Sequence, residues 1–352
     1  MKTVSGSKGN SRTAARREAS TATLGMVASR AGVSPSTVSR ILNGTAVVSA
    51  LKRAAVDAAI AELGFVPNPM ARGLAGGRTL SVGVVTPTID SPFYGVALRG
   101  IEEELSRAGY SPLIASARFD ATEEARCIEV LRSRRVDGII VLDGWLGPQA
   151  LRAHAQALPM VVTGRQLKAP NLFALSCDNF EGGRLATQHL LDLGHRRIAF
   201  ITGDPQHPDA NERLAGYRAA LEAAGLTFKP GLVVAGEFHE ASGLAAVERL
   251  LDSRQRFTAL FAANDQMAFG AALGLHRRGL RIPDDVSLVG YDDIASALYA
   301  APPLSTVRQS GHEVGQLAAA AMLQLLAGEK PRAALPAPRF ISRESTGAPR
   351  SA

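Results

Sequence analysis

One group of side chains with chemical potential lies near the N-terminus, at the start and on the polar face of a predicted helix. Its members are Ser34, Pro35, Ser36, Thr37, Ser39, Arg40 and Asn43. The opposite face is apolar, because Val38, Ile41 and Leu42 lie at positions i, i+3 and i+4. Small polar side chains let a helix enter the major groove of DNA deeply, and an arginine can bind a guanine edge or a phosphate. The pattern therefore predicts a helix that binds DNA.

A second group lies in the rest of the chain, just after the ends of predicted strands, with Arg213 near the start of a helix that follows another strand. The others are Asp90, Phe93, Tyr94, Arg165, Asn264, Asp265, Tyr291, Asp292 and Asp293. Ligands of open parallel sheets bind beyond the carboxyl ends of the strands. Two facing lobes would bring these carboxylates, amide, guanidinium and rings into one cleft, which suits a small polyhydroxylated ligand.

Each residue of this second group also has an ordinary structural explanation. An acid after a strand can cap the following helix, and this alternative is strongest for Asp265, which opens a helix. Arg213 can form a surface salt bridge, and Phe93 and Phe238 can belong to the core. For most of these residues taken singly, the structural explanation is favoured.

Three helices are predicted to position the first group. Thr23 can cap the first, which ends at Gly32, and Ser34 can cap the second, with Pro35 in its first position. The third begins near Ser49 and ends at Gly64. The residues predicted to face inward on this third helix are Leu51, Ala55, Val56, Ala59, Ile60 and Leu63. This is a helix-turn-helix; the alternative is a three-helix bundle that binds a protein.

A short segment follows the three helices. Asn68 can cap a helix from Met70 to Ala75, but the segment is too short to be stable alone, and Gly73 weakens it further. Gly76-Gly77 then releases the chain. We therefore predict a linker that is helical only when something holds it, with Leu74 as an apolar side chain in need of a partner.

From Leu80 onward, strands alternate with helices, which is typical of parallel sheets. The predicted strands are 80–85, 111–116, 138–142, 160–163, 197–202, 232–235, 259–262 and 287–290. The predicted helices are 94–108, 121–134, 149–157, 180–193, 211–224, 242–253 and 265–278. This pattern predicts two α/β lobes of similar size.

Charge separates the two parts of the 352-residue chain. Residues 1–80 hold 11 lysines and arginines and three acids, whereas the remainder holds 28 basic and 29 acidic residues. An excess of positive charge at one end points to an anionic polymer as the partner of that end. The absence of a long apolar stretch or an N-terminal apolar segment predicts no membrane span and a cytoplasmic, nucleoid-associated protein. Cys127 and Cys177 are expected to be free and buried.

Motifs of common enzymes are missing from the sequence. No two of the 34 glycines are two positions apart, which excludes the dinucleotide fingerprint, and neither a phosphate-binding loop nor a G-x-S-x-G motif occurs. His239-Glu240 and His312-Glu313 lack the second histidine of a zinc helix. We therefore expect no catalytic residues, no metal and no cofactor. A two-lobed sugar-modifying enzyme and a transport-type solute-binding protein remain as alternatives.

Several motifs resemble those of the lactose/galactose-repressor (LacI/GalR) family of transcription regulators, over about residues 22–346. The segment 31–44 is similar to the recognition segment of that family, and Leu63-Gly64-Phe65-Val66-Pro67-Asn68 with Ala71-Arg72-Gly73-Leu74 is similar to its hinge. Further similar motifs are Ser91-Pro92-Phe93-Tyr94, 134–140, Asp178-Asn179, His189-Leu190, 194–200, 212–217, 264–268, 289–293 and 302–307.

The resemblance implies a periplasmic-binding-protein-like body of two lobes and a homodimer that binds a pseudo-palindromic DNA operator. It implies that Pro35, Ser36 and Arg40 face base edges and that Leu74 wedges into the minor groove. The effector residues that it implies are Phe93, Tyr94, Arg213, Phe238, Asn264, Asp292 and Gln309. The sequence departs from the family at Pro35, where a small polar or aromatic residue is more usual, and at Gly164, where many members have Asp.

We therefore predict an all-α helix-turn-helix head with a two-lobed α/β body, acting as a repressor controlled by a sugar or sugar derivative. A purine-type corepressor is the alternative effector. The predicted divisions are a basic tail (1–21), the helix-turn-helix domain (22–66), a hinge helix and linker (67–79), and the effector-binding and dimerisation domain (80–346). Within this last domain the N-lobe is about 80–176 plus 308–335, and the C-lobe is about 177–305 plus 336–346.

Overall fold

The computed structural model describes residues 22–42, 48–65, 78–253 and 255–350. The chain divides into two compact units between Thr79 and Leu80. Each unit is described by itself below, the first as the head and the second as the body. In the described ranges, no helix combines the length and the apolar character that crossing a bilayer requires.

The head contains helices α1 (Leu24–Ala31), α2 (Pro35–Leu42) and α3 (Ala50–Leu63). The side chain of Thr23 accepts a hydrogen bond from the backbone N–H of Met26 at 3.3 Å, so the predicted cap of α1 is present. A small apolar core joins the three helices. It consists of Val27, Ala28, Val38, Ile41, Val56 and Ala59.

Two residues of α3 were predicted to face inward and do not. Leu51 is 84% exposed, and Ala55 is exposed as well. The buried stripe of α3 starts later, at Val56 and Ala59. A rotation of about 100° per residue places Leu51 about 140° around the helix from Val56, away from α1. An apolar residue in a first turn is therefore not enough to define the buried face of so small a bundle.

The body begins with a parallel five-stranded sheet in the order β2-β1-β3-β4-β5. Its strands are β1 (Ser81–Thr86), β2 (Ser111–Ser116), β3 (Gly138–Val141), β4 (Met160–Thr163) and β5 (Leu172–Leu175). The helices that follow the first three strands are α4 (Pro92–Arg107), α5 (Ala121–Ser133) and α6 (Pro148–Ala157). β1, β3 and β4 are buried on both faces, as expected when helices cover both sides of a sheet.

The second sheet of the body has six strands in the order β11-β10-β9-β8-β6-β7, and only β11 is antiparallel to its neighbour. The strands are β6 (Ile198–Thr202), β7 (Val233–Ala235), β8 (Ala259–Ala262), β9 (Ser287–Asp292), β10 (Ser305–Arg308) and β11 (Arg339–Ile341). The helices are α7 (Asn179–Asp192), α8 (Pro208–Ala223), α9 (Glu240–Asp252) and α10 (Asp265–Arg277).

The chain passes between the two sheets three times. It leaves the first sheet after β5, and it returns after β10 to form α11 (Gly311–Leu326), which packs against α4 and the first sheet. It then enters the second sheet again as β11. The elements β5, β10, β11 and α11 are absent from the predicted series of strands and helices.

The two cysteines are free, but they differ in burial. Cys127 in α5 is buried, as predicted. Cys177 is only half-buried, against the prediction, because it lies in the connection between β5 and α7 rather than inside an element.

Candidate functional site

A cavity of about 610 Å³ lies where the carboxyl ends of the two sheets of the body meet. Both sheets reverse their strand order once, between β1 and β3 in the first and between β6 and β8 in the second. Such reversals open a crevice beyond the strand ends, and ligands of open α/β sheets bind there. The cavity is lined from both reversal points, by Tyr94 and Asp143 on one side and by Arg213 and Asn264 on the other.

The structure brings all seven residues predicted to bind an effector into the lining of this one cavity. They are Phe93, Tyr94, Arg213, Phe238, Asn264, Asp292 and Gln309. Two of them have unusual backbone angles, since φ is +62° at Phe238 and +106° at Asp292. Non-glycine residues held at such angles concentrate at functional sites, where the surrounding structure compensates for the strain.

Arg213 on α8 is a buried cation, 3% exposed, and not the surface residue of the alternative explanation. Its Nε donates to Asn179 Oδ1 at 2.8 Å, and its guanidinium lies 3.7 Å from the ring centroid of Tyr291. One terminal nitrogen is 3.9 Å from a carboxylate oxygen of Asp209. These contacts fix the guanidinium in the cavity wall.

Three buried carboxylates share the cavity lining with this arginine: Asp143, Asp209 and Asp292. Burial, with the charge of Asp143 as the next cause, raises the pKa of Asp209 above its usual range. Burial also raises the pKa of Asp292 well above its usual range, although the charge of Arg213 opposes that shift. A cavity of this kind attracts groups that donate hydrogen bonds and disfavours anions.

The position of the Asp143 carboxylate explains the departure from the family at Gly164. The hydroxyl of Thr163 donates to Asp143 Oδ1 at 2.7 Å, which fixes the carboxylate in place. A Cβ at position 164 would lie 2.5 Å from the same oxygen, and the φ of Gly164 is +65°. Any side chain at 164 would therefore collide with Asp143, so the acidic group on this side of the cavity comes from position 143.

Aromatic rings form one wall of the cavity. Trp145 packs edge-to-face on His207, with ring centroids 5.6 Å apart, and His207 packs in the same way on Phe238 at 5.5 Å. Phe93 and Tyr94 form a second edge-to-face pair at 5.4 Å. Rings above and below a cleft can cover the apolar faces of a sugar or a planar heterocycle.

Two buried polar atoms of the lining have no hydrogen-bond partner among the described residues. They are the indole Nε1 of Trp145, which is a donor, and Oε1 of Gln309, which is an acceptor. Buried polar groups are nearly always paired, and leaving one unpaired costs about 1–3 kcal/mol. Both residues line the cavity, so a bound molecule could supply the partners that these two atoms lack.

Several residues of the second sequence group do not line the cavity. Asn264, not Asp265, caps α10, because its side chain accepts from the N–H of Met267 at 2.9 Å. Asp265 is buried and accepts from the Thr306 hydroxyl at 2.6 Å and from the N–H of Ile294 at 2.9 Å. Burial raises the pKa of Asp265 to about 7.

The remaining residues of that group also have structural roles or positions outside the lining. Tyr291 is buried in the core beneath Arg213, and Asp293 pairs with Arg308 at 2.6 Å and with Arg343. Arg165 is half-buried outside the lining. Asp90 does line the cavity, at its exposed edge.

The lining residues that were missed from the sequence include four between the two sheets' reversal points: Asp143, Trp145, His207 and Asp209. Asp143 and Trp145 follow β3, and His207 and Asp209 follow β6. The rule that placed other residues after strand ends, applied to every strand, would have found all four.

The head carries the residues predicted to bind DNA. Six of the eight lie in the described residues, whereas Asn43 and Leu74, like the predicted hinge helix, lie outside them. Ser34 caps α2 as predicted, since its Oγ accepts from the N–H of Thr37 at 3.2 Å and lies 2.9 Å from the Ser36 Oγ. Pro35, Ser36 and Arg40 are exposed, and Thr37 and Ser39 are half-buried.

In the described part of the chain, no three His, Cys, Asp or Glu side chains are grouped as a metal ion would require. The cavity is instead lined by carboxylates, a guanidinium and amides, which can form hydrogen bonds with a ligand, and by aromatic rings. Such an arrangement binds and orients a small molecule.

Comparison with known proteins gives a consistent result for both units. A model of the bacterial regulatory proteins of the lacI family matches residues 23–68, and a model of the periplasmic binding protein-like domain matches residues 187–346. The chain is 36% identical over 305 residues to the HTH-type transcriptional repressor PurR of Haemophilus influenzae, covering 86% of this chain and 90% of that protein.

Two solved structures are also similar. The lac repressor dimer bound to operator and the anti-inducer ONPF has 30% identity and a TM-score of 0.84, covering 93% of this chain and 100% of that one. The complex of the transcriptional regulator CelR with cellobiose has 38% identity and a TM-score of 0.69, covering 92% of this chain and 99% of that one. The predicted fold class, a helix-turn-helix head with a periplasmic-binding-protein-like body, is confirmed.

Proposed function

The chain belongs to the LacI family of bacterial regulatory proteins, and from that premise we propose that a small carbohydrate bound in the body cavity controls how tightly the head binds operator DNA. The chain is a DNA-binding transcription repressor and not an enzyme. The observation that carries the proposal is the cavity itself, in which three buried carboxylates, one arginine and aromatic rings face the same space.

The chemistry of the lining supports a carbohydrate as the effector. Hydroxyl groups donate to carboxylates and accept from guanidinium, and the apolar faces of a sugar ring pack on aromatic side chains. The relative CelR has a structure in complex with cellobiose, a neutral sugar. The seven predicted effector residues, with Asp143, Trp145, His207 and Asp209, form the proposed site.

A purine-type corepressor is the second candidate. The wall of Trp145, His207 and Phe238 can cover a flat heterocycle as well as a sugar, and the N–H groups of a purine can donate to Asp143 or Asp209. The sign of the response is a separate question, because an inducer releases operator DNA and a corepressor promotes its binding. In either case the ligand acts only through the difference between its affinity for the DNA-binding conformation and its affinity for the DNA-releasing conformation.

For the head, we propose that α2 lies in the major groove. Ser36, Thr37, Ser39 and Arg40 would then face base edges and nearby phosphates, with Pro35 at the start of the helix. Asn43 would extend this contact, and Leu74 would insert into a minor-groove step and kink the duplex. Ser34 contributes by capping α2, which holds the helix in shape at the DNA surface.

We propose a homodimer, so that two heads bind the two halves of a pseudo-palindromic operator. The related lac repressor is a dimer on its operator. In this chain, Leu298 and Tyr299 of the body are large apolar residues that are 53% and 82% exposed, and they are candidates for the contact between copies. We also propose that the protein is cytoplasmic and associated with the nucleoid, which contains the operator DNA.

The proposed division of the chain follows the sheets. Residues 22–66 form the DNA-binding domain after a basic tail at 1–21, and 67–79 form the hinge. The N-lobe (80–176 plus 308–335) contains β1–β5 and α11, and the C-lobe (177–305 plus 336–346) contains β6–β9 and β11. The proposed boundary at 305–308, where the C-lobe segment ends and the N-lobe segment begins, coincides with strand β10.

The experiment that tests this function is selection of DNA from a random duplex pool by the full-length protein. We expect enrichment of a palindrome with a flexible pyrimidine–purine step at its centre. The selection is repeated with neutral sugars and with purines. Enrichment of no sequence under any of these conditions would contradict operator binding, and enrichment that no small molecule alters would contradict effector control.

A further inference from the structure

The loop Asp143–Leu146, which follows β3 and is called the tryptophan loop below, is held by a buried acid. Glu124 of α5 has no exposed surface, and its Oε2 accepts hydrogen bonds from the N–H of Trp145 and, at 3.1 Å, from the N–H of Leu146. Position 144 is glycine, where a Cβ would lie 2.3 Å from Glu124 Oε1. Glu124 therefore fixes the backbone of Trp145 against α5.

The ring of Trp145 is fixed as well. It packs edge-to-face on His207, which comes from the loop after β6 of the other sheet. His207 is itself held, because its Nδ1 accepts from the N–H of Asp209 at 3.3 Å and caps α8. The indole thus contacts a residue that follows a strand of the other sheet, and its N–H is buried and unpaired among the described residues.

The surrounding charges restrict what can pair with that N–H. The described lining contains one arginine, no lysine and seven carboxylates, which are Asp90, Asp143, Asp204, Asp209, Glu237, Glu240 and Asp292. A phosphate or carboxylate would supply an acceptor to the indole, but its negative charge would face an acidic lining in which burial already raises the pKa of Asp209 and Asp292. A hydroxyl or ether oxygen supplies the acceptor without charge, and neighbouring hydroxyls donate to the carboxylates.

We propose that Trp145 is a specificity-determining residue of the effector cavity, and that its indole N–H donates a hydrogen bond to an oxygen of an uncharged sugar. Glu124 is a positioning residue, which acts by holding the tryptophan loop. This inference rests on the proposed function, because it assumes that the cavity binds the effector, and it adds the residue and the charge state that select the ligand.

The chain contains one tryptophan, so its fluorescence reports on this position alone. We would titrate the full-length protein with D-ribose, D-glucose, cellobiose, glucose 6-phosphate and hypoxanthine, and follow tryptophan emission and binding heat together. The expected result is that a neutral sugar binds and changes the emission, while glucose 6-phosphate does not bind. Binding of glucose 6-phosphate or hypoxanthine in place of every neutral sugar would overturn the proposal.

The sugar that binds is then measured by calorimetry with Trp145→Phe, which keeps an aromatic ring and removes the N–H. We expect affinity to fall by about 5- to 30-fold, the effect of one lost hydrogen bond that leaves a buried oxygen unpaired. Phe180→Ala, an exposed aromatic residue outside the cavity, is the matched control and should leave affinity unchanged. Equal affinity of Trp145→Phe and the unmodified protein would overturn the role of Trp145.

Monodeoxy analogues of the same sugar separate the hydrogen bond from ring packing. One analogue should bind the unmodified protein about 5- to 30-fold more weakly than the parent sugar, yet bind Trp145→Phe as well as the parent does. Glu124→Gln should weaken binding of the parent sugar by a smaller factor and should not add fully to Trp145→Phe. If the losses of binding free energy in the two variants add fully, Glu124 has no role in positioning Trp145. Circular dichroism shows whether each variant is folded.

The outcomes distinguish this inference from the proposed function. If a sugar binds, alters operator affinity and has the same affinity for Trp145→Phe as for the unmodified protein, the proposed function stands and the inference is overturned. Failure of all five compounds to produce binding heat at millimolar concentration counts against a carbohydrate or purine effector, and the inference is then overturned together with the proposed function.

Discussion

The head and the cavity of the body are opposite in charge and in exposure. The first 80 residues carry 11 basic and three acidic residues, and Ser36 and Arg40 of α2 are exposed. The cavity has seven carboxylates in its lining, and Arg213 is almost completely buried. In the proposed function, charge therefore attracts DNA over a long range, whereas fixed, desolvated groups recognise the effector at short range.

This difference has a consequence for regulation. The cavity disfavours the phosphates that the head attracts, so DNA and effector do not compete for one surface. Their influence on each other must pass through the conformation of the protein, and it is then reciprocal, because each ligand changes the affinity of the other by the same factor. Substitutions in one region should therefore change one affinity and spare the other.

The largest effect is expected from Arg213→Ala in the cavity. The substitution leaves Asp209 and Asp292 without their positive neighbour and leaves Asn179 Oδ1 without its 2.8 Å donor. We expect effector affinity to fall at least about 100-fold, that is about 3 kcal/mol, with operator affinity in the absence of effector unchanged. Calorimetry measures the first quantity and fluorescence anisotropy of labelled operator the second.

Arg184→Ala is the control for that substitution. Arg184 forms an ion pair with Glu181 at 2.6 Å on the surface of α7, and removing a surface pair changes little. If Arg213→Ala still responds to the effector as the unmodified protein does, the assignment of the cavity is wrong.

A smaller effect in the opposite region is expected from Arg40→Ala. Loss of a base-edge contact should weaken operator binding about 10- to 100-fold and reduce the preference for operator over random DNA, with effector affinity unchanged. Arg30→Ala removes the same charge from a side chain that pairs with Glu62 at 2.7 Å, and it should have a weaker effect on all sequences alike. An equal loss on operator and random DNA for Arg40→Ala would show a phosphate contact only.

The dependence of stability on pH should belong to the body. Burial raises the pKa of Asp265 to about 7, from about 3.9 in an unfolded chain, so the folded state holds a proton that the unfolded state releases. Its contribution to stability is fully present below about pH 4 and is lost as the pH rises through 7. We expect the free energy of unfolding of the body to fall by about 2–3 kcal/mol between pH 5 and 8 from this group.

Asp265→Asn tests that dependence, because an amide stays neutral throughout and can still pair with the Thr306 hydroxyl. Denaturant unfolding of both proteins at pH 5, 6, 7 and 8 should give a flatter profile for the variant. Parallel profiles would remove Asp265 as the cause.

The smallest effect concerns the head alone. Leu51→Ala should change the free energy of unfolding by less than about 0.5 kcal/mol, because Leu51 is 84% exposed. Val56→Ala, on the buried face of the same helix, should lower it by about 1–3 kcal/mol. Amide hydrogen exchange in α3 of the full chain measures these changes and distinguishes the two variants.

The head was largely predictable because its signals are local. Thr23 and Ser34 cap their helices as the sequence indicates, and each cap involves residues within one helical turn. The prediction for Leu51 and Ala55 was wrong because the buried face of α3 is chosen by its contact with α1, which is distant in sequence.

The body was predictable where strands alternate with helices within one sheet, and less so where the chain crosses between the two sheets. The strands β5, β10 and β11 and the helix α11 all adjoin these crossings, and α11 packs against α4, some 200 residues away in sequence. Trp145 follows β3 closely enough for the strand-end rule to include it, but its contact with His207 joins two sheets and could not be predicted from the sequence. The seven effector residues were found through motifs, and their convergence on one cavity required the tertiary structure.

The most direct test of the account is the operator affinity of the unmodified protein with and without a saturating concentration of the sugar identified by calorimetry. We predict that the dissociation constant measured by fluorescence anisotropy changes at least tenfold. The same dissociation constant in both conditions, while calorimetry shows the cavity occupied, would contradict control of the head by the cavity.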